Sequence, residues 1–181
     1  MGIIRELFTT IKSAKEHKKK MTAYLSLPPE ELVLLDDESL LEVLDMLLYI
    51  DIDYENIGSL NAEQLTVATI LSYDREVQNG GLCQFFVNSS RYFAPFVASS
   101  LEKIGAAKML SLFSSFISDN SIDVSDLESF IVYDIEEYDA QTERYPFDAF
   151  DDAYYELYES EDIETLLLEY VRSNINKIMS F

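Results

Sequence analysis

The sequence predicts an all-α fold, a single compact multi-helix domain with an amphipathic N-terminal helix, on three observations. Apolar residues recur at three- and four-residue spacing wherever a period can be read, and residues that start and stop helices bracket those runs. Only one short stretch, Ile50 to Ile57, alternates like a strand, and nothing else offers it a partner. At 181 residues, 48% of them hydrophobic, the chain is one domain's worth with enough apolar side chains for an ordinary core.

Taken in order, Ile3, Ile4, Leu7, Phe8 and Ile11 form one stripe of a helix over residues 1–20, which ends in lysines suited to its C-terminal dipole. Residues 21–181 then form the acidic all-α body. Pro28-Pro29-Glu30-Glu31 marks a helix start, and Asp36 or Asp37 caps a further helix whose Leu40, Leu41, Leu44, Leu47 and Leu48 share a face. Asn61 with Gln64 forms a capping box that opens a helix through Leu65, Ala68 and Leu71 to about Gln78, where Gly80-Gly81 stops it. Pro95 fits the first turn of the next helix and Gly105 its left-handed end; Ala106 to about Phe116 follows as another. Stretches near 125–138, 148–158 and 162–178 repeat the helical spacing with acids on the remaining faces.

Charge divides the chain further. Asp and Glu number 34 against 13 Lys and Arg, a net charge of −21. Residues 1–20 carry +4, residues 21–118 carry −10 and residues 119–181 carry −15. Such a field repels polyanions, so direct binding to nucleic acid or an anionic membrane is disfavoured and the expected partner is a basic protein. The oppositely charged N-terminal stripe is expected to dock on the body or on a second subunit, giving a homodimer. The lone Cys83, the lack of a long apolar run and the early charge at Arg5 and Glu6 point to a cytoplasmic protein.

Chemistry is sparse. The one histidine, His17, lies in the lysine run, unsuited to a triad or a multi-histidine zinc site. The five glycines form no phosphate-binding loop. Asp51-x-Asp53-x-Glu55-Asn56-x-Gly58 misses calcium-loop requirements at two positions, with Asn56 where glycine belongs and Ala62 where the bidentate Glu belongs. No catalytic motif is found, and no enzyme activity, metal or cofactor is expected.

One stretch is more specific: Glu76-x-x-Asn79-Gly80-Gly81-x-x-Gln84-Phe85-Phe86-x-Asn88-Ser89-Ser90. Asn79-Gly80-Gly81 supplies positive-φ positions, the short polar groups satisfy opened backbone, Glu76 accepts from exposed amides of the turn, and Phe85 and Phe86 anchor the segment. Two readings are open: a buried polar corner setting two helices at an angle, or an amide-lined pocket using Glu76, Asn79, Gln84 and Asn88 on a small ligand or substrate.

This run, with Ala94-Pro95 and Leu101-Glu102-x-Ile104-Gly105-Ala106 after it, resembles the DUF4375 family over residues 61–118. Echoes at Phe147-Asp148-x-Phe150-Asp151 and Leu168-Glu169-Tyr170-Val171-Arg172-x-Asn174 extend the resemblance to about two-thirds of the chain, outside residues 1–50. The resemblance implies an all-α, acidic, bacterial or phage cytosolic protein, with a dimeric relative that mimics DNA by covering a transcription factor's DNA-binding face. The shared residues are the polar corner, so the mimic's contacts do not carry over by position. Charge must carry that reading independently. Over residues 119–169 there are 18 acids and one base, Arg144. Asp134, Glu137, Asp148, Asp151, Asp152, Glu156 and Glu159, at helical spacing, are the candidate rows of negative charge for a basic partner, possible anchors being the interleaved tyrosines. The expected function is a DNA-mimic-like modulator of a nucleic-acid-binding protein; an immunity-type protein neutralising a cationic toxin fits the same electrostatics.

Overall fold

The structure, a computed structural model, describes residues 19–50 and 52–180. The helix expected over residues 1–20 and its docking stripe thus lie, but for Lys19 and Lys20, outside the described residues. Those two lysines are helical, in a run that reaches Tyr24.

The elements that follow are α1 (Pro29–Leu32), α2 (Asp37–Leu48), α3 (Ala62–Val87), α4 (Ala94–Ile104), α5 (Ala107–Asp119), α6 (Ile135–Thr142), α7 (Phe147–Tyr158) and α8 (Ile163–Ile178). Three 3-10 turns, Tyr54–Ser59, Ser89–Phe93 and Glu128–Phe130, connect them. The described residues contain no strand, so the all-α expectation holds.

Start signals act as the residue types require. Asp36 accepts from Ser39 N at 2.8 Å. Asn61 accepts from Glu63 N and Gln64 N while Gln64 accepts from Asn61 N, a complete capping box. Gln64 Nε2 also donates to Ile178 O at 2.9 Å, which ties the start of α3 to the end of α8. Pro95 lies in the first turn of α4, and Gly105 ends that helix at φ +84°. The N-terminus of α5 has no cap of its own, and the distant Glu161 accepts from Lys108 N and Met109 N instead.

The alternating 50–57 stretch, left without a partner in the sequence, forms no strand among its described residues and closes local backbone bonds instead, Asn56 N to Asp53 O and Leu60 N to Ile57 O. One expectation fails for a local reason. The helix expected over 125–138 is instead a loop, a 3-10 turn and the start of α6. Ser121 at φ +53° turns the chain, and Asp123 and Asp126 bond to the nearby backbone at Ser125 N and Glu128 N. Short acidic side chains thereby compete with helical hydrogen bonds. The helix waits for Asp134, which accepts from Glu137 N.

Helix α3 is the centre of the domain and packs on α2, α4, α7 and α8. Its residues from Thr66 to Asp74 are all buried, because neighbours surround it on every side. Tyr73 meets Phe85, Phe113 and Tyr154 edge-on at centroid distances of 5.5, 5.6 and 6.0 Å. A second aromatic group joins Phe86 to Phe130 at 5.0 Å and Phe116 to Phe147 and Phe150 at 5.3 and 5.2 Å. Edge-on and tilted ring pairs add about 0.5–1.5 kcal/mol each beyond the area they bury.

Candidate functional site

Helix α3 does not end at the two glycines; it breaks there and resumes. Gly80 sits at φ −158° and Gly81 at φ +80°, ψ 176°. Positive φ is thus confined to Gly81, and Asn79 and Gly80 do not adopt it. The break frees Leu82 N, which donates to Asp151 Oδ1 of α7 at 2.9 Å. That carboxylate lies so close that a Cβ on Gly81 would stand 2.1 Å from Asp151 Oδ2. A Cβ on Gly80 would stand 2.0 Å from Gln84 Oε1. A side chain at Gly80 would have to displace the end of Gln84, whereas Gly81 is required by its positive φ and by the Asp151 carboxylate against it.

Glu76, one turn before the break, gathers the polar residues beyond it. Its Oε2 accepts from Gln84 Nε2 at 2.6 Å and Asn88 Nδ2 at 2.9 Å. Its Oε1 accepts from Ser90 Oγ at 3.2 Å, a hydroxyl shared with Phe85 O. The donors are side chains, not the turn amides expected from sequence. Phe85 and Phe86 are fully buried behind this cluster, whereas Asn79 and Ser89 are exposed. The carboxylate is filled by internal donors, and the grooves on the surface are lined by other residues. Glu76, Gln84, Asn88 and Ser90 thus meet as a polar corner, half-buried as a whole rather than buried, with Asn88 exposed and Asn79 outside it.

A second link lies two residues further back, at Asp74. Buried Asp74 accepts from Tyr154 Oη at Oδ1 and from Gln78 Nε2 at Oδ2, the latter at 2.8 Å. Burial raises its pKa above the ordinary carboxylate range, against the lowering effect of the two hydrogen bonds. Asp151 is raised by the same cause. Burial pushes the neighbouring Cys83 thiol up to about 11. Helix α7 is thereby fastened to both sides of the break, by Asp74–Tyr154 before it and Asp151–Leu82 after it. Sequence reasoning missed Asp74 and Tyr154, although the signal was present: Asp74 falls four residues after Ile70 and three before Val77, on the apolar stripe.

The family model described as DMP19-like protein matches residues 58–174, more than half of the chain, and includes every residue of this fastening. The chain belongs to the DMP19-like family. No curated protein and no solved structure matches it.

In this DMP19-like chain the acids of the candidate surface separate into three groups. Asp151 is half-buried at the glycine break and does not face outward. Asp134 and Glu137 are exposed but serve the start of α6, where Glu137 Oε2 accepts from Tyr133 N at 2.7 Å. Asp148, Asp152 and Glu156 on α7 and Glu159 at its C-cap are exposed at spacings of three and four, on one face. The ion pairs lie elsewhere: Lys20–Glu42, Arg75–Asp45, Arg172–Asp37 and Lys177–Glu63. Arg144, the base inside the acidic stretch, donates to Ser129 O and lies over the rings of Phe130 and Tyr145. Among the described residues, no acid from 119 to 169 is in an ion pair. Among them too, no group of His, Cys, Asp and Glu could hold a metal ion, and no helix is long and apolar enough to cross a membrane.

Proposed function

We propose that the chain is a protein-interaction module whose acidic side binds a basic, nucleic-acid-binding protein in place of nucleic acid. The observation that carries this reading is the uncompensated charge of residues 119–169, 18 acids and one base with no ion pair among the described residues. B-DNA offers a partner one negative charge per roughly 1.7 Å of axis on a stiff scaffold. The row Asp148, Asp152, Glu156 and Glu159 sets charges about 5–6 Å apart on a helix that is itself fastened to the core. Like charges at that spacing each oppose the helix by a few tenths of a kcal/mol, a cost the fold carries and a cationic partner relieves. The test is capture from a bacterial lysate at low and high salt with duplex DNA as competitor. A DNA-binding protein that is captured, weakened by salt and displaced by DNA is the expected result. Capture of neutral proteins alone contradicts the reading; a basic protein that DNA does not displace favours neutralisation of a cationic toxin.

We further propose that the protein acts as a cytoplasmic homodimer through its N-terminal segment. Sedimentation velocity of the full chain against a chain lacking residues 1–18 tests the oligomer, with loss of the dimer expected on truncation.

A further inference from the structure

Eight large apolar side chains are exposed among the described residues, and four of them lie at two adjoining grooves or within two residues of their lining. Ile131 is 38% exposed, Tyr133 85%, Ile135 65% and Tyr92 47%. Two open grooves of about 500 Å³ each meet at Ile131. One passes Tyr92, Pro95 and Leu127; the other passes Tyr133, Ala140 and Gln141. The strip Ile131–Tyr133–Ile135, which starts where the grooves meet, is held by contacts on both sides. Phe130, the neighbour of Ile131, is buried against Phe86 of the broken helix and stacks on Tyr145 at 5.7 Å. Gln141 Nε2 and Arg144 Nη1 both donate to Ser129 O, and Glu137 holds Tyr133 N. Apolar groups held out on a fixed backbone lose little entropy when a partner covers them.

The surroundings select the partner. Residues 119–143 hold nine acids and no base. Asp126 and Glu128 line one groove with Arg91, and Glu137 and Glu143 line the other with Arg144, so acids outnumber bases two to one in each. The acidic body of a second copy would bring the same acids against these, and a nucleic acid or anionic membrane would be repelled in the same way. A cationic segment with apolar side chains satisfies both features: its lysines or arginines meet the groove acids and its apolar groups cover Tyr133, Ile131 and Ile135. We infer that the Ile131–Tyr133–Ile135 ridge is the apolar anchor site for a basic protein segment, the acids around it supplying attraction and the ridge supplying the selectivity among cationic partners. This rests on the proposed function and adds to it where the contact is made and what the partner segment must contain besides charge.

The test uses the full chain and two fluorescently labelled peptides with equal numbers of lysines, one with leucines where the other has serines, followed by anisotropy at low salt. The lysine–leucine peptide is expected to bind about tenfold or more tightly than the lysine–serine peptide. Tyr133→Ser/Ile135→Ser should erase that difference and leave the lysine–serine peptide's affinity unchanged. Leu34→Ser, which removes an 81% exposed leucine at another place, should leave the difference intact. Tyr133→Ser alone, at the most exposed position of the ridge, keeps the test valid should the double variant melt early. Equal affinities for the two peptides, or a difference that survives loss of the ridge, overturns the anchor site and leaves the proposed function standing. Failure of both peptides to bind at low salt overturns both. A dimer in sedimentation velocity that the ridge variant abolishes assigns the ridge to a second copy and overturns the inference.

Discussion

Asp151 and Asp152 are neighbours on α7, yet they meet opposite surroundings. Asp151 turns in, accepts the amide that the broken helix leaves open and stands where Gly81 has no side chain. Asp152 turns out with Asp148, Glu156 and Glu159 and meets no cation among the described residues. Glu76 and Asp74 belong with Asp151: each is consumed by donors from the chain itself. The difference separates architecture from display. The most specific residue pattern of the sequence builds the corner, and the unpaired charge lies on the outer face of a helix fastened to that corner.

Perturbing the inward set should cost the most. Gly81→Ala must place a Cβ on Asp151 at positive φ, so a loss of about 2–4 kcal/mol is expected in urea unfolding. In an Asp151→Ala background the same substitution keeps its backbone strain and loses its clash, and should cost about 1–2 kcal/mol. Equal costs in both backgrounds would show that the carboxylate is not what excludes a side chain there. Glu76→Ala strands the donors of Gln84, Asn88 and Ser90, and about 1–3 kcal/mol should be lost, whereas Asn79→Ala in the same motif should stay within about 0.5 kcal/mol. A large effect at Asn79 would show that the corner depends on a side chain that the structure leaves exposed.

A weaker signal comes from pH. Burial holds Asp74 and Asp151 above the ordinary carboxylate range, so the folded state favours their protonated forms. Their stabilising contribution is full below about pH 4 and declines as pH rises through the raised values. Thermal midpoints should therefore fall from mildly acidic to neutral pH, and Asp74→Asn should flatten that fall. An unchanged slope in the variant would remove Asp74 as a source. Smallest of all is the effect at Cys83, which is buried with its thiol pushed up to about 11. Iodoacetamide at pH 8 should leave it intact in the folded protein and modify it in denaturant; rapid native-state labelling would mean that the corner opens.

The sequence made the helices legible where caps and periodicity agreed, as at Asn61–Gln64, Asp36 and Gly105. It misled where short acids could bond locally to backbone, so the 125–138 stretch became a loop and turn. The motif's residues were visible, but its assembly was not. Asp151 lies 70 positions beyond Gly81, and no local rule distinguishes it from Asp152 except its place among Phe147, Phe150 and Tyr154 on the apolar stripe of α7. The exposed ridge was illegible for the same reason, since Ile131, Tyr133 and Ile135 look like core until the chain is folded.

The affinity of the captured DNA-binding protein for an Asp148→Lys/Asp152→Lys/Glu156→Lys variant tests the central claim most directly. All three side chains are exposed, so the variant should melt close to the parent chain. Binding at least about tenfold weaker, with the remaining affinity less sensitive to salt, is the predicted result. Unchanged affinity and unchanged salt dependence would contradict it and place the partner away from the outward acids of α7.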